Sequence, residues 1–344
     1  MAKVVRFAAA REASVVDEPE AELGAGDVRI RTLYSGISAG TELTAYRGSN
    51  PYLDKRWDPE RRLFVPGDST LAYPVDGWGY EEVGEIVEVG GDVRDVQLGQ
   101  VVWGTWGHRA LTTKPAEYAA QRVLAPGIDP KVGIFSQIGA IALNVMLDAD
   151  IHVGETVAVF GLGVPGQLVA QLAALNGARV IGVDTLSDRL AKARELGADT
   201  VLDATKGEVA ERIHELTEGR GADVALEVSG AYPALHEAIR SVAYSARVVA
   251  AGFFQREGMG LALGEEFHHN RVQVMCSQIS GVAPALSYRW DTYRLQRTAV
   301  DLAASGKLQV LPLISEVVPV DGAPAAFRAL DESPAKSLQV VIEF

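Results

Sequence analysis

The run Gly161-Leu162-Gly163-Val164-Pro165-Gly166 constrains this chain more than any other feature. An apolar run, Thr156-Val157-Ala158-Val159-Phe160, precedes it, and a helical stretch from Gln167 to Asn176 follows. A second apolar run, Arg179-Val180-Ile181-Gly182-Val183, ends on Asp184. Strand, glycine turn, helix, strand, acid is the order of a unit that wraps a dinucleotide. The first glycine, Gly161, permits the turn. The second, Gly163, lets a pyrophosphate approach the backbone, and the third, Gly166, lets helix and strand pack closely. Val164 and Pro165 open the helix, whose free N–H groups and positive end suit phosphate. Asp184 stands where a carboxylate accepts from the 2′- and 3′-hydroxyls of an adenosine ribose. A 2′-phosphate there would meet a like charge, so NAD is expected rather than NADP. The competing reading is a structural Gly-rich turn in a nucleotide-free α/β domain, and the ordered set of features makes it the weaker one.

The chain has 344 residues, and about 150 residues per domain suggests two domains. Its formal net charge of −13 opposes binding to nucleic-acid phosphates or anionic membranes, and no basic stripe offsets it. A small-molecule substrate is the expected partner. The one cysteine, Cys276, excludes an internal disulfide. Met1-Ala2-Lys3-Val4-Val5-Arg6 lacks the apolar core of a signal peptide. No segment is expected to cross a membrane, and the expected compartment is the cytoplasm.

The first third reads as short strands and turns: Val4 to Phe7, Ala13 to Val16, Val28 to Leu33, Glu82 to Val89 and Gln100 to Trp103. Between Tyr46 and Trp78 lies an aperiodic stretch rich in prolines and aromatics. Loops this long are functional or disordered, and the aromatic content argues for a packed one. After about Ile134 strand and helix signals alternate, as in a doubly wound parallel sheet. Ligands in such sheets bind beyond the carboxyl ends of the strands. Ser229 and Gly230, Gly252 and Phe253, and Gln278 follow three of those strands and are candidate cofactor contacts. Arg189, early in the helix after Asp184, is a candidate to lie over the adenine, with a solvated arginine as the competing reading. The last segment, Ser337 to Phe344, alternates as a strand and is expected to complete the N-terminal domain.

Several motifs together resemble the medium-chain dehydrogenase/reductase superfamily of the zinc-type alcohol and polyol dehydrogenases. Gly36-Ile37-Ser38-Ala39-Gly40-Thr41-Glu42 resembles its G-I-C-G-T-D loop, and Gly79-Tyr80-Glu81-Glu82-Val83-Gly84 its G-H-E-x-x-G segment. Ala116-Glu117-Tyr118, Glu195-Leu196-Gly197-Ala198-Asp199 and Gly221-Ala222-Asp223-Val224 match further motifs. The resemblance implies an α/β chain: a doubly wound parallel Rossmann sheet, residues 134–283, inserted in a mostly-β GroES-like catalytic domain, residues 1–133 plus 284–344. It also implies a homodimer, joined through a sheet edge near Val272 to Cys276.

The departures from the family pattern concern the metal. Zinc members hold a catalytic Zn²⁺ with Cys, His and a Cys or Glu. Here those positions carry Ser38 or Ala39, Tyr80 and Gln137, and the four-Cys structural lobe expected between Trp103 and Tyr118 has no cysteine. A zinc-free site is expected, similar to zinc-less branches such as the bacteriochlorophyllide dehydrogenase type, which also carries a G-T-E loop.

Without a metal, hydride transfer still needs a group to stabilise or exchange charge at the substrate oxygen. The matching positions offer Ser38, Thr41 and Tyr80 as catalytic candidates, Thr41 standing at the family's hydroxyl relay. A phenol has an ordinary pKa of about 10, so Tyr80 suits a donor better than a base. The competing readings are a cavity filler for Tyr80 and a turn hydroxyl for Thr41. Glu81 is expected to orient its neighbours, and Glu42 is a weaker candidate. Glu82 is read as a solvated strand charge, His108 as a surface or satisfied histidine, and Cys276 as a buried small hydrophobe. His268-His269-Asn270 is a poor metal site, for lack of acid or cysteine at ligand spacing.

These features point to a zinc-independent, NAD-dependent oxidoreductase of a secondary alcohol, with a polyol, sugar derivative or larger ring as substrate. A zinc-less quinone or enoyl reductase, and a dinucleotide-binding protein without turnover, are the alternatives.

Overall fold

The computed structural model describes residues 1–255 and 257–344. The chain forms two compact units, Met1–Gln137 with Leu311–Phe344, and Ile138–Val310.

The first unit begins with strands β1 (Ala2–Ala9), β2 (Glu12–Glu18) and β3 (Asp27–Ile37), then the short helix α1 (Glu42–Arg47). The strands β4 (Arg56–Asp58), β5 (Leu63–Val65), β6 (Val75–Asp76), β7 (Glu82–Val89), β8 (Val101–Gly104) and β9 (Leu111–Pro115) follow, with helix α2 (Ala116–Ala120). The aperiodic 46–78 stretch holds a small β4–β5 hairpin. In it Phe64 meets Trp57 and Tyr52 edge-on, with centroids 5.1 and 5.4 Å apart. Leu71, Tyr73 and Trp78 pack on a core built around Phe7, Tyr46 and Phe327.

Helix α3 (Phe135–Ala149) leads into the second unit, where strands and helices alternate: β10 (Thr156–Phe160), α4 (Val164–Leu175), β11 (Arg179–Asp184), α5 (Ser187–Glu195), β12 (Thr200–Asp203), α6 (Val209–Leu216), β13 (Ala222–Glu227), α7 (Tyr232–Ser241) and β14 (Val242–Ala250). Then come α8 (Glu266–His269), β15 (Gln273–Cys276) and α9 (Thr292–Ala304). The strands lie parallel in the order β12-β11-β10-β13-β14-β15. Every residue of β10 is buried, as expected for a parallel strand covered on both faces, which is why it reads as one apolar run. Strand order reverses between β10 and β13, the switch point of a doubly wound sheet.

The chain returns to the first unit through β16 (Ile314–Pro319), α10 (Ala323–Glu332) and β17 (Gln339–Glu343). There β17 lies between β16 and β3, and β3 pairs antiparallel with β7. This register sets Ser35 directly opposite Glu82, and two side chains so placed touch.

Residues 284–310, expected with the catalytic domain, lie in the sheet unit instead. Gly139 lacks a Cβ that would stand 2.6 Å from the Ala299 Cβ, so α3 and α9 pack closely. The Gln171 amide bonds both the carbonyl and the N–H of Gln309. Cys276 is exposed rather than buried, because β15 is the free edge of the sheet. The expectation that no segment is apolar and long enough to span a membrane also needs correction. Among the described residues, Pro130–Ala149 passes on length and hydropathy, and 72% of that window is buried inside the fold.

Candidate functional site

The second unit builds a cradle at the carboxyl ends of its strands. Gly161 has φ +89°, and a Cβ there would lie 2.6 Å from the Ser229 Cβ. A Cβ on Gly166 would stand 1.8 Å from the Gly161 carbonyl oxygen, whereas one on Gly163 would meet nothing closer than 3.8 Å. The outer glycines therefore serve packing, and the middle one leaves the backbone open at the start of α4. Gly163 caps that helix, and Pro165 sits in its first turn, where a missing N–H costs nothing. Gly166→Ala is expected to overpack the turn by about 1–3 kcal/mol, while Gly163→Ala keeps the fold and obstructs a phosphate. Thermal midpoints of the two variants check this; equal losses would contradict it.

Asp184 ends β11, and its carboxylate is buried. It accepts from the N–H of Leu162 at 2.7 Å and of Leu186 at 2.9 Å. Arg189 Nη1 lies 3.9 Å from the same carboxylate, so this side chain stands beside the acid. Gln167 donates to the carbonyls of Leu162 and Arg189, tying the glycine turn to α5. Ser229, Gly230, Gly252 and Phe253 come together: a Cβ on Gly252 would lie 2.1 Å from the Gly230 nitrogen, and one on Gly230 2.8 Å from the Phe253 oxygen. Gln278 caps its own turn through the Ser280 N–H. The cradle fits a dinucleotide: it offers open backbone at a helix N-terminus and a fixed carboxylate one strand away.

Glu227 was not singled out in the sequence. Its buried carboxylate accepts from the Ser229 N–H at 2.8 Å, the Ser229 hydroxyl, and the Gly230 N–H at 3.1 Å. Burial pushes its pKa up, and these donors hold part of the rise back. An acid closing the strand straight after the apolar Val224-Ala225-Leu226 was the available signal.

The first unit holds a buried polar cluster. Ser38 follows β3, Thr41 and Glu42 begin α1, and Tyr80, Glu81 and Glu82 lead into β7. Ser38 Oγ and Tyr80 Oη are 2.5 Å apart, and the nearby Thr41 side chain helps hold back the rise of the phenol's pKa. Burial first, then the nearby Glu81 and Glu42, push the Tyr80 phenol above its ordinary range. Glu42 accepts the Ser38 N–H on Oε1 at 3.1 Å, and its Oε2 lies 2.7 Å from His108 Nε2. His108 Nδ1 lies 2.6 Å from Ser35 Oγ, which donates to Glu82 Oε1 at 3.2 Å. Glu82 also accepts the N–H groups of Glu81 at 3.0 Å and Trp106 at 2.6 Å.

Glu82 and His108 are thus wholly buried: Glu82 is not a solvated strand charge, and of the two readings of His108 the structure shows the satisfied histidine rather than the surface one. The reason is the fold of residues 104–109. Gly107 (φ +80°) approaches Gly77 so closely that a Cβ would be 1.8 Å from its carbonyl oxygen, and a Cβ on Gly79 would stand 2.8 Å from the His108 imidazole. Alternation along β7 says nothing of this loop, which folds over the strand from outside it.

Glu81 is the least satisfied member. The neighbouring Gln339 amide donates to the carbonyls of Ile37 and Val340 at 3.2 and 3.1 Å. Both Glu81 carboxyl oxygens are left without a hydrogen-bond partner among the described residues. Burial first, then Glu42 and Glu82, push its pKa well up, towards a neutral carboxyl.

At the positions matching zinc ligands, the structure sets a hydroxyl against a phenol, bonded to each other. Neither is a thiolate or an imidazole, and among the described residues no group of three His, Cys, Asp or Glu side chains could hold a metal. This donor set does not fit Zn²⁺.

Comparison with known proteins adds four likenesses. Residues 165–291 match a family described as "Zinc-binding dehydrogenase". The chain is 30% identical to D-guloside 3-dehydrogenase of Escherichia coli (strain K12), over 98% of both chains. It is 28% identical to sorbitol dehydrogenase of Halalkalibacterium halodurans, over 70% of this chain and 73% of that one. The crystal structure of 2R,3R-butanediol dehydrogenase from Bacillus subtilis superposes with a TM-score of 0.80 at 23% identity, covering 100% of both chains.

Proposed function

We propose that this chain, which belongs to the zinc-type medium-chain dehydrogenase/reductase superfamily, moves hydride between NAD and a secondary alcohol of a sugar or polyol without zinc. The observation that carries this reading is the bonded Ser38–Tyr80 pair where zinc relatives have metal ligands. The named activities of the relatives, on a guloside and on sorbitol, support the substrate class.

NAD, when bound, supplies the hydride acceptor. Gly161, Gly163, Val164, Pro165 and Gly166 would hold its pyrophosphate, with Asp184 on the adenosine ribose and Arg189 beside it. Ser229, Gly230, Gly252, Phe253 and Gln278 are assigned to the remaining sugar and ring. In ketone reduction the Tyr80 phenol donates to the substrate oxygen, where negative charge develops. Its upward-shifted pKa keeps that proton in place through the neutral range. Ser38 and Thr41 orient the hydroxyl. In alcohol oxidation the phenol must first give its proton to solvent before its oxygen can take the one that leaves the substrate, so the raised pKa favours the reductive direction. Glu81, held towards its neutral form, spares the pocket a second negative charge. Loss of a proton from Glu81 beside Glu42 would oppose the alkoxide that forms.

Incubating the purified protein with NAD and a panel of glycosides, polyols and simple secondary alcohols tests the reading. NADH is expected to form with sugar or polyol substrates, and to form equally after dialysis against a chelator. Metal analysis is expected to find far less than one zinc per chain. Stoichiometric zinc whose removal abolishes turnover would overturn the metal-free site.

A further inference from the structure

We infer that Glu42 and His108 form a positioning pair for this reaction: the charged pair holds Ser38, and through it the Tyr80 hydroxyl, at the substrate oxygen. The inference rests on the reading of Tyr80 given above.

The geometry is a continuous series of contacts. Tyr80 Oη meets Ser38 Oγ; the N–H of the same serine donates to Glu42 Oε1; Glu42 Oε2 meets His108 Nε2. Glu42 also begins α1, with its N–H on the Ser38 carbonyl at 2.9 Å. Ser38 is therefore gripped twice by one residue. Glu42 and His108 are both 0% exposed, so water cannot substitute for either partner.

The hydrogen-bond pattern has two forms. With His108 charged, Nε2–H donates to Glu42 and Nδ1–H to Ser35 Oγ, whose own hydrogen goes to Glu82. Every donor then has an acceptor. With His108 neutral, Nε2–H stays on Glu42 and Nδ1 becomes an acceptor. The Ser35 hydroxyl must then turn to it, and Glu82 loses that donor. Glu42 is left a buried anion facing only neutral donors, which is costly. Its grip on Ser38 changes accordingly.

The groups facing His108 are Glu42 from α1, Glu82 from β7, Ser35 from β3 and the edge of Phe327 from α10, with ring centroids 5.8 Å apart. Two are acids and the other two are uncharged. Burial pulls the imidazole pKa down, but Glu42 and then Glu82 outweigh it, and the net shift is upward. A raised histidine keeps its charge past its unfolded value of about 6.5 and loses it as pH rises through the folded value. Positioning by the charged pair is therefore full below about 6.5 and fades above it.

The discriminating variant is Glu42→Gln. The amide still accepts the Ser38 N–H and can donate to Nε2 of a neutral imidazole of the other tautomer, so the packing survives and the charge does not. We expect kcat to fall about ten- to hundredfold, with KM and NAD affinity within about twofold. The upper pH limb of kcat present in the native protein is expected to vanish. An unchanged kcat profile in Glu42→Gln would reduce the pair to a structural role. A second readout needs no turnover: ring ¹³C NMR of tyrosine, with Tyr80 assigned by comparison with Tyr80→Phe. The Tyr80 Cζ shift is expected to follow the His108 titration in the native protein and not in Glu42→Gln. A Tyr80 shift indifferent to that titration overturns the pair even if no substrate is turned over. Absence of turnover with a coupled Tyr80 would instead overturn the proposed function alone.

Discussion

Tyr80→Phe is expected to lower kcat for ketone reduction by about two to three orders of magnitude, the usual cost of losing one donor to a developing oxyanion. Phenylalanine keeps the ring that fills the pocket and removes only the hydroxyl that meets Ser38 Oγ at 2.5 Å. The fold should survive, because Ser38 keeps its backbone bonds to Glu42 in both directions. NADH binding, read by fluorescence, and the thermal midpoint are expected to stay close to the native values. The alternative role for Tyr80, a filler of the space left by a lost metal, makes the opposite forecast. A kcat within about threefold of native would favour the filler and remove Tyr80 from the chemistry.

Asp184→Asn carries the second large effect, on the cofactor. The native carboxylate is aimed by the N–H groups of Leu162 and Leu186, and the asparagine oxygen can keep only part of that pattern. Hydrogen bonds from ribose hydroxyls to a charged acceptor are worth about 1.5–3 kcal/mol, and each 1.4 kcal/mol is tenfold. NAD affinity should therefore fall about ten- to hundredfold. NADP affinity should fall less or improve, because the repulsion on its 2′-phosphate is relieved. Parallel titrations with NADH and NADPH measure both; an unaltered preference would show that Asp184 does not set it. Burial of Asp184 makes a modest loss of thermal stability an expected side effect.

Much of the sheet unit was legible because its signals are local. An apolar run, a Gly-x-Gly-x-x-Gly turn and an acid one strand later lie within 30 residues of chain, and each residue type answers a constraint set by its own backbone. The separate roles of the three glycines follow the same logic. Burial of β10 on both faces wrote itself into the sequence as Thr156-Val157-Ala158-Val159-Phe160. Helix α9 was harder. Its amphipathic pattern marks a helix but carries no address, and a missing Cβ at Gly139 decided what it packs against.

The polar cluster was only half legible. Ser38, Thr41, Tyr80 and Glu81 lie in two short motifs, so their candidacy could be read from residue types. The remaining members come from β3, β7 and the 104–109 loop, and no spacing rule joins Ser35, Glu42, Glu82 and His108. Glu82 in particular has the look of a strand charge, since β7 alternates around it. Its burial depends on Trp106 and Gly107 folding across it and supplying N–H donors.

The sequence by itself determined the α/β class, the nucleotide turn and its acid, and the absence of Cys and His from the family's ligand positions. These depend on residue identity and on contacts within a few residues. Only the tertiary structure decided which charges are buried and what each one faces. It closed the series from Tyr80 through Ser38 and Glu42 to His108, and it left both Glu81 carboxyl oxygens without a hydrogen bond among the described residues. The physical reason is that the state of a buried ionisable group is set by neighbours brought from distant parts of the chain, and register and loop packing choose those neighbours.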